Sequence, residues 1–134
     1  MRLAIIGSRS FNDTKLLNET LRPYKDQITL IVSGGAAGAD QLGEYWARLH
    51  KIETLIFLPD WKTHGKKAAL LRNKDIISNC DMAIAFWNYR SPGTRHAIKL
   101  CEKQKKPYKI IEFQEVPGVK SHIKEGILKY TKDE

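Results

Sequence analysis

Short apolar runs alternate with helical patterns along most of this chain, and that alternation restricts the fold more than any other feature. The runs are Arg2–Ile6, Ile28–Val32, Thr54–Leu58, Met82–Trp87 and Tyr108–Phe113. Helical spacing lies between them, near Thr14–Tyr24, Ala39–Lys51, Lys66–Asn79 and Thr94–Lys105. In the second of these, Leu42, Tyr45, Trp46 and Leu49 stand at i, i+3, i+4 and i+7. A last helix is predicted over about 119–131, after the break at Pro117-Gly118. Strands that are apolar throughout belong to a parallel sheet covered on both faces. The expectation is therefore an α/β chain: a doubly wound parallel sheet of about five strands with helices on both faces. At 134 residues, with no repeat, linker or low-complexity stretch, one domain over 1–134 is expected.

Ligands of such sheets sit beyond the carboxyl ends of the strands, near the point where strand order reverses. The residues just after each strand therefore belong together in one reading. They are Gly7-Ser8-Arg9-Ser10-Phe11-Asn12-Asp13, Ser33-Gly34-Gly35-Ala36-Ala37-Gly38-Ala39-Asp40, Pro59-Asp60-Trp61-Lys62-Thr63-His64-Gly65 and Asn88-Tyr89-Arg90-Ser91-Pro92-Gly93-Thr94. Four consecutive strand ends carry small, polar or basic residues, which makes this edge the expected site.

The glycine turn after the second strand lets backbone amides approach an anion, and the helix that follows adds the positive end of its dipole. Gly34, Gly35 and Gly38, with Ser33, are thus candidate phosphate contacts. The spacing is G-G-x-x-G after the second strand, not the G-x-G-x-x-G of a dinucleotide fingerprint after the first. No P-loop pattern is present. A tight turn with close helix–sheet packing explains Gly38 well, and the Gly34-Gly35 pair less well. After the first strand, Gly7 and Ser8 offer a turn and a hydroxyl. Arg9 can pair with phosphate, or with a neighbouring carboxylate such as Asp13. Ser91, Gly93 and Thr94 open the fourth helix, with Thr94 a plausible cap and Gly93 leaving amides uncovered.

Asn73 falls in the middle of the apolar stripe Ala69, Leu70, Ile76, Ile77, Cys80, with Arg72 at its edge. A buried asparagine needs partners. It either bonds a loop backbone or lines the pocket beside Arg72. Asp40 and Asp60 are the candidate carboxylates of the edge. Asp40 stands in a helix first turn, which favours negative charge in any case, and it repels any phosphate bound beside it. His64 and His96 lie near the same edge, but no metal-ligand spacing appears, so neither metal nor cofactor is expected.

The net charge of +8 suits acidic ligands and raises nucleic acid as a partner. The lysines are spread along the chain without a dense stripe, zinc-finger spacing or RNA-binding aromatic signature. No segment approaches the roughly 20 apolar residues of a membrane span. The N-terminal run Leu3-Ala4-Ile5-Ile6 is too short for a secretory signal. Cys80 and Cys101 form no metal-type or redox-type pair, so a reduced, cytoplasmic setting is the default. Tyr45, Trp46 and the last helix either pair copies into a homo-oligomer or, for the two aromatics, pack the core.

Taken in order, Gly7-Ser8-Arg9-x-Phe11-x-Asp13, Ser33-Gly34-Gly35-Ala36-x-Gly38-Ala39-Asp40, Pro59-Asp60-Trp61, Arg72-Asn73 and Ser91-x-Gly93-Thr94 resemble the YspA branch of the SLOG superfamily. That superfamily groups Rossmann-like domains related to LONELY GUY phosphoribohydrolases and DprA/Smf DNA-processing proteins, and the resemblance spans about Met1 to Phe113. It implies a nucleotide or nucleotide-derivative site. Gly34, Gly35 and Gly38 match the first phosphate motif of LONELY GUY enzymes, and Gly93 and Thr94 match the Gly-Thr of the second. Arg72 resembles their helix arginine. Their glutamate, three residues after Thr94, is Ala97 here. In the oxocarbenium-like state of N-glycoside cleavage a nearby carboxylate supplies charge stabilisation or activates water, and Asp40 or Asp60 could supply it instead.

The expected function is binding of a phosphate-bearing nucleotide or derivative, as a sensor or sequestering module. Gly7, Ser8, Arg9, Ser33, Gly34, Gly35, Gly38, Asn73, Ser91, Gly93 and Thr94 are the expected ligand contacts. The alternative is hydrolysis of a nucleoside 5'-monophosphate at its N-glycosidic bond, with Asp40, Arg72 and Asp60 as candidate catalytic residues. A further alternative is DprA-like nucleic-acid binding.

Overall fold

Where successive apolar runs are long enough to pair and helices separate them, the chain builds a single sheet. The computed structural model describes residues 1–114 and 122–130. Strands β1 (Arg2–Gly7), β2 (Leu30–Ser33), β3 (Glu53–Ile56), β4 (Met82–Trp87) and β5 (Tyr108–Gln114) are mutually parallel. The sheet order is β3-β2-β1-β4-β5-β6, with β6 (His122–Tyr130) antiparallel to β5. Ala4 is in register with Val32 on one side and Ala83 on the other, so β1 and β4 form the middle of the sheet.

Helices α1 (Thr14–Leu21) and α2 (Ala39–Leu49) cover one face. Leu3, Ile5, Ile31, Ile84, Phe86 and Phe113 meet Leu17, Leu21, Trp46 and Ala47 there. Helices α4 (Ala68–Ser78) and α5 (Pro92–Lys103) cover the other. Ala4, Ile6, Val32, Ala83 and Ala85 meet Ile76, Ile77, Ala97, Ile98 and Cys101 on that side. A single turn, α3 (Trp61–His64), stands between β3 and α4. Alternate residues of β1 and β4 thus enter opposite layers, which is why these strands read as continuous apolar runs.

Three expectations change. The helix predicted over about 119–131 is not formed in its described part, because residues 122–130 are β6. Without a partner the outer edge of β5 would leave its backbone groups unpaired, and Gly126 weakens a helix interior. The strand at Thr54–Leu58 is not covered on both faces. Its residues 54–56 belong to the exposed edge strand β3, where Ile56 is 40% accessible, and Leu58, beyond the end of β3, is 70% accessible. Helix α1 ends at Leu21, ahead of Pro23, and a 3₁₀ turn over Arg22–Gln27 carries the chain to β2.

Trp46 is core, its Nε1 donating to Asn18 Oδ1 at 2.9 Å, whereas Tyr45 is half exposed. Phe11 was quoted above only as part of a turn motif. It is buried against Phe86 and Phe113, with ring centroids 4.6 and 5.0 Å apart. That anchor fixes the loop leaving β1, and with it Ser8 and Arg9.

Candidate functional site

Strand order reverses between β1 and β4, and a cleft of about 450 Å³ opens at their carboxyl ends. Its walls come from the turn after β1, the start of α2, one face of α4 and the start of α5. Ser8 is tied on three sides. Its amide donates to Phe86 O at 2.9 Å, its Oγ accepts from Asn88 N at 3.3 Å, and its carbonyl accepts from Ala39 N at 3.4 Å. Gly7 is required by this close approach, since a Cβ there would stand 2.5 Å from Phe86 O. Arg9 and Ser10 are exposed on the rim. Among the described residues no hydrogen-bond or ion-pair partner of Arg9 is found, Asp13 included; Asp13 instead caps α1 through Leu16 N at 2.9 Å.

The glycine turn does not have the arrangement the sequence led us to expect. Its amides are engaged by the chain's own side chains. Gly34 N and Ala36 N donate to Asp40 Oδ2 at 3.1 and 3.4 Å, and Gly35 N donates to Ser33 Oγ at 3.3 Å. The Ser33 hydroxyl in turn donates to Glu44 Oε2 at 2.6 Å. Asp40 begins the helix and bends back over the turn, a tethered carboxylate held where a free anion was expected. Gly34 leaves room for this, because a Cβ there would lie 2.6 Å from Arg72 Nη1 and 2.9 Å from Asp40 Oδ2. Gly38, at φ +83°, has Ser8 O and Arg9 O at 2.4 and 2.5 Å from its missing Cβ. It locks two turns together. Ser33, Gly34, Gly35 and Gly38 are absent from the cleft wall, whereas Ala36 and Asp40 belong to it.

Asp40 is 6% exposed. Burial pushes its carboxyl up to about 7, against the pull of the Ala36 amide, the Arg72 charge and the Gly34 amide. The Glu44 carboxylate adds to the rise. Arg72 donates through Nη1 to Gly34 O, and burial lowers its proton affinity. Its Nε is buried with no hydrogen-bond partner among the described residues, and the residue lines the cleft.

Opposite stands the start of α5. Ser91 caps it, Oγ accepting from Thr94 N at 3.4 Å and lying 3.1 Å from Thr94 Oγ1. Asn88 Oδ1 accepts from Arg90 N at 2.8 Å and Ser91 N at 3.0 Å, and Trp87 Nε1 donates to Ser91 O at 3.1 Å. Thr94 is therefore at the third helical position and Ser91 is the cap. The Gly93 amide makes no hydrogen bond within the described residues, and apart from its chain neighbours and the nearby backbone of α5 no atom lies within 4 Å of its missing Cβ. Unlike Gly7, Gly34 and Gly38, Gly93 is not required by packing.

Asn73 meets both alternatives raised by its sequence position. Its Nδ2 reaches Gly93 O at 3.3 Å and His96 Nδ1 at 3.2 Å, fastening α4 to α5, and the residue also lines the cleft. Burial holds His96 below the ordinary imidazole value, consistent with a neutral ring accepting at Nδ1. Asp60 is not brought to the site. It is exposed, caps α3 through Thr63 N at 3.1 Å, and is held below the usual carboxylate range by that bond. Ala97 is buried in the cleft wall, leaving Asp40 as the one carboxylate of that wall among the described residues. No cluster of metal-binding side chains occurs among the described residues. The sequence reading missed the roles of Glu44 and Asn88. Glu44 stands one helical turn after Asp40 on the same face, and Asn88 is the first residue after β4; these were the available signals.

Comparison with known proteins agrees with the fold. The family model described as the YspA, cpYpsA-related SLOG family matches residues 1–64, from β1 through both turns to α3. Gene 61 protein of Mycobacterium phage D29 is 35% identical over 128 residues, covering 87% of this chain and 98% of the relative. The structure of DNA processing protein A from Helicobacter pylori, reported for its single-stranded DNA binding mode, superposes with a TM-score of 0.65 at 23% identity. It covers 91% of this chain and 68% of that one. No helix among the described residues is long and apolar enough to cross a membrane.

Proposed function

The chain belongs to the YspA, cpYpsA-related SLOG family, and from that premise we propose that its cleft binds a phosphate-bearing nucleotide or nucleotide derivative. The observation that carries this reading is the Gly93 amide at the start of α5, which makes no hydrogen bond within the described residues and belongs to the same cleft as Arg9. A helix N-terminus with an uncovered amide is an anion site when a cation completes it. In this reading the phosphate rests on Gly93 and Thr94, with Arg9 closing over it and the Ser8 hydroxyl beneath. Arg72, also on the cleft wall, is available to a second oxygen of the ligand. The glycine turn acts indirectly, by holding Asp40 and Arg72.

A second reading makes the ligand one unit of a single nucleic-acid strand. The shared fold with a protein that binds single-stranded DNA favours it, as does the exposed Arg9 on the cleft rim. Equilibrium binding at low salt, with nucleoside 5'-monophosphates in one arm and a short oligothymidylate in the other, separates the two. Arg9→Ala is expected to weaken the true ligand at least about tenfold, the loss of one charge-assisted pair. Gly93→Leu fills the open space and abolishes binding while the fold is kept. Affinity for neither probe, or affinity indifferent to both variants, overturns the proposal. Release of free base from a monophosphate, lost in Asp40→Asn, would turn the reading to N-glycosidic hydrolysis.

A further inference from the structure

Asp40 is a carboxylate on the wall of a cleft otherwise suited to anions. It is 6% exposed, and its Oδ2 is already shared by the Gly34 and Ala36 amides. The charged and titratable groups that face it are few. Glu44 lies behind it on α2, itself held by Ser33. Arg72 approaches from α4, but its Nη1 is turned to Gly34 O and no Arg72–Asp40 ion pair forms. Arg9, from the turn after β1, acts on Arg72 in the same direction as burial. The turn after β2 contributes only amides and a hydroxyl. His96 on α5 is engaged by Asn73. An ionised Asp40 is thus favoured by the turn amides and the Arg72 charge, and opposed by burial, by the Glu44 carboxylate and by any anion that enters.

We propose that the cleft takes up a proton on Asp40 as it binds its anionic ligand, so that affinity rises as the pH falls through neutrality. The inference rests on the reading of the cleft as a phosphate site. The proton comes from solvent and returns to it on dissociation. A neutral Asp40 removes the like-charge repulsion, keeps an acceptor for the turn amides, and gains an O–H that can donate to a ligand oxygen. Burial has already brought the group to about 7, so a modest further push by a bound anion completes the protonation.

The test needs ligands whose own charge is constant. The methyl ester of adenosine 5'-monophosphate and a short oligothymidylate carry phosphodiesters that do not titrate between pH 6.5 and 8.5. If binding requires the protonated form, affinity at pH 8.5 is about twentyfold weaker than at pH 6.5, given a carboxyl that titrates near 7. Calorimetry in two buffers of different ionisation enthalpy, on the unaltered protein, should register close to one proton taken up per ligand at pH 8. Asp40→Asn, which keeps an acceptor for Gly34 and Ala36, should flatten the profile. Binding with a flat profile and no proton uptake in the unaltered protein overturns this inference and leaves the phosphate reading standing. Failure of both ligands to bind at either pH overturns the phosphate reading, and the inference with it.

Discussion

Replacing Asp40 by Asn should stabilise this protein, and by an amount that depends on pH in a defined way. The side chain is nearly inaccessible, and folding carries its carboxyl from 3.8 to about 7. Each pH unit of such a change is worth about 1.4 kcal/mol, so the ionised form costs the folded state about 4 kcal/mol. The sign follows from proton counting. Between those two values the folded chain binds the proton that the unfolded chain has released, so this group's stability is intact below 3.8 and is lost as the pH rises to about 7. Asn resembles the protonated form, and its Oδ1 can still accept from Gly34 and Ala36. The stability difference between Asp40→Asn and the parent should therefore grow by roughly 2–3 kcal/mol between pH 5 and pH 8, then level off. Urea unfolding at one-unit pH intervals, with a constant m-value, measures it. Using the difference cancels Asp60 and Asp81, whose carboxyls are held low by Thr63 and Arg2 and contribute with the opposite sign. It also cancels any constant offset from the new amide. A difference that stays flat across this range would show that Asp40 is well compensated when ionised, and would refute the electrostatic picture of the cleft.

Gly38→Ala places a Cβ 2.4 and 2.5 Å from the Ser8 and Arg9 carbonyls at a φ of +83°; neither atom is a flexible side-chain end. A cost above about 2 kcal/mol is expected, with ligand affinity falling in parallel because Arg9 is displaced, read by denaturation and binding on the same preparation. Phe11→Ala removes the ring packed between Phe86 and Phe113 and should cost about 3–5 kcal/mol in urea unfolding; a loss below 1 kcal/mol would mean the loop after β1 is anchored elsewhere. Asp60→Asn alters an exposed cap away from the cleft and should leave nucleotide binding and its pH profile unchanged in the assays used for Arg9→Ala.

Much of the fold was legible because its determinants are local. Apolar runs the length of a strand, spaced by helical periods, admit few arrangements besides a parallel sheet with helices on both sides. The stretch read as a last helix failed for a non-local reason. Its apolar residues satisfy either period, and the open edge of β5 decides between them. The burial of β3 was misjudged in the same way, since an apolar run does not state whether it lies at the middle of a sheet or at its rim. At the cleft, the sequence supplied the residue types and the edge where they gather. It did not supply the partner of each donor. Asp40 was recognised as a carboxylate in conflict with phosphate at the glycine turn. The structure resolves that conflict by giving the turn's amides to Asp40 itself.

The glycines show why such partners escape a reading of the chain. Gly38 and Gly93 look alike in sequence, each ending a turn ahead of a helix. Around Gly38 two backbone carbonyls fill the space a side chain would need; around Gly93 nothing does. The first glycine is fixed by packing within the protein. The second has no such packing reason inside the chain. An unbonded amide at the start of α5, on the cleft that Arg9 rims, is the group to which the proposed phosphate is assigned. That is why the proposed phosphate belongs at α5, and why Gly93→Leu is the substitution that separates ligand from fold.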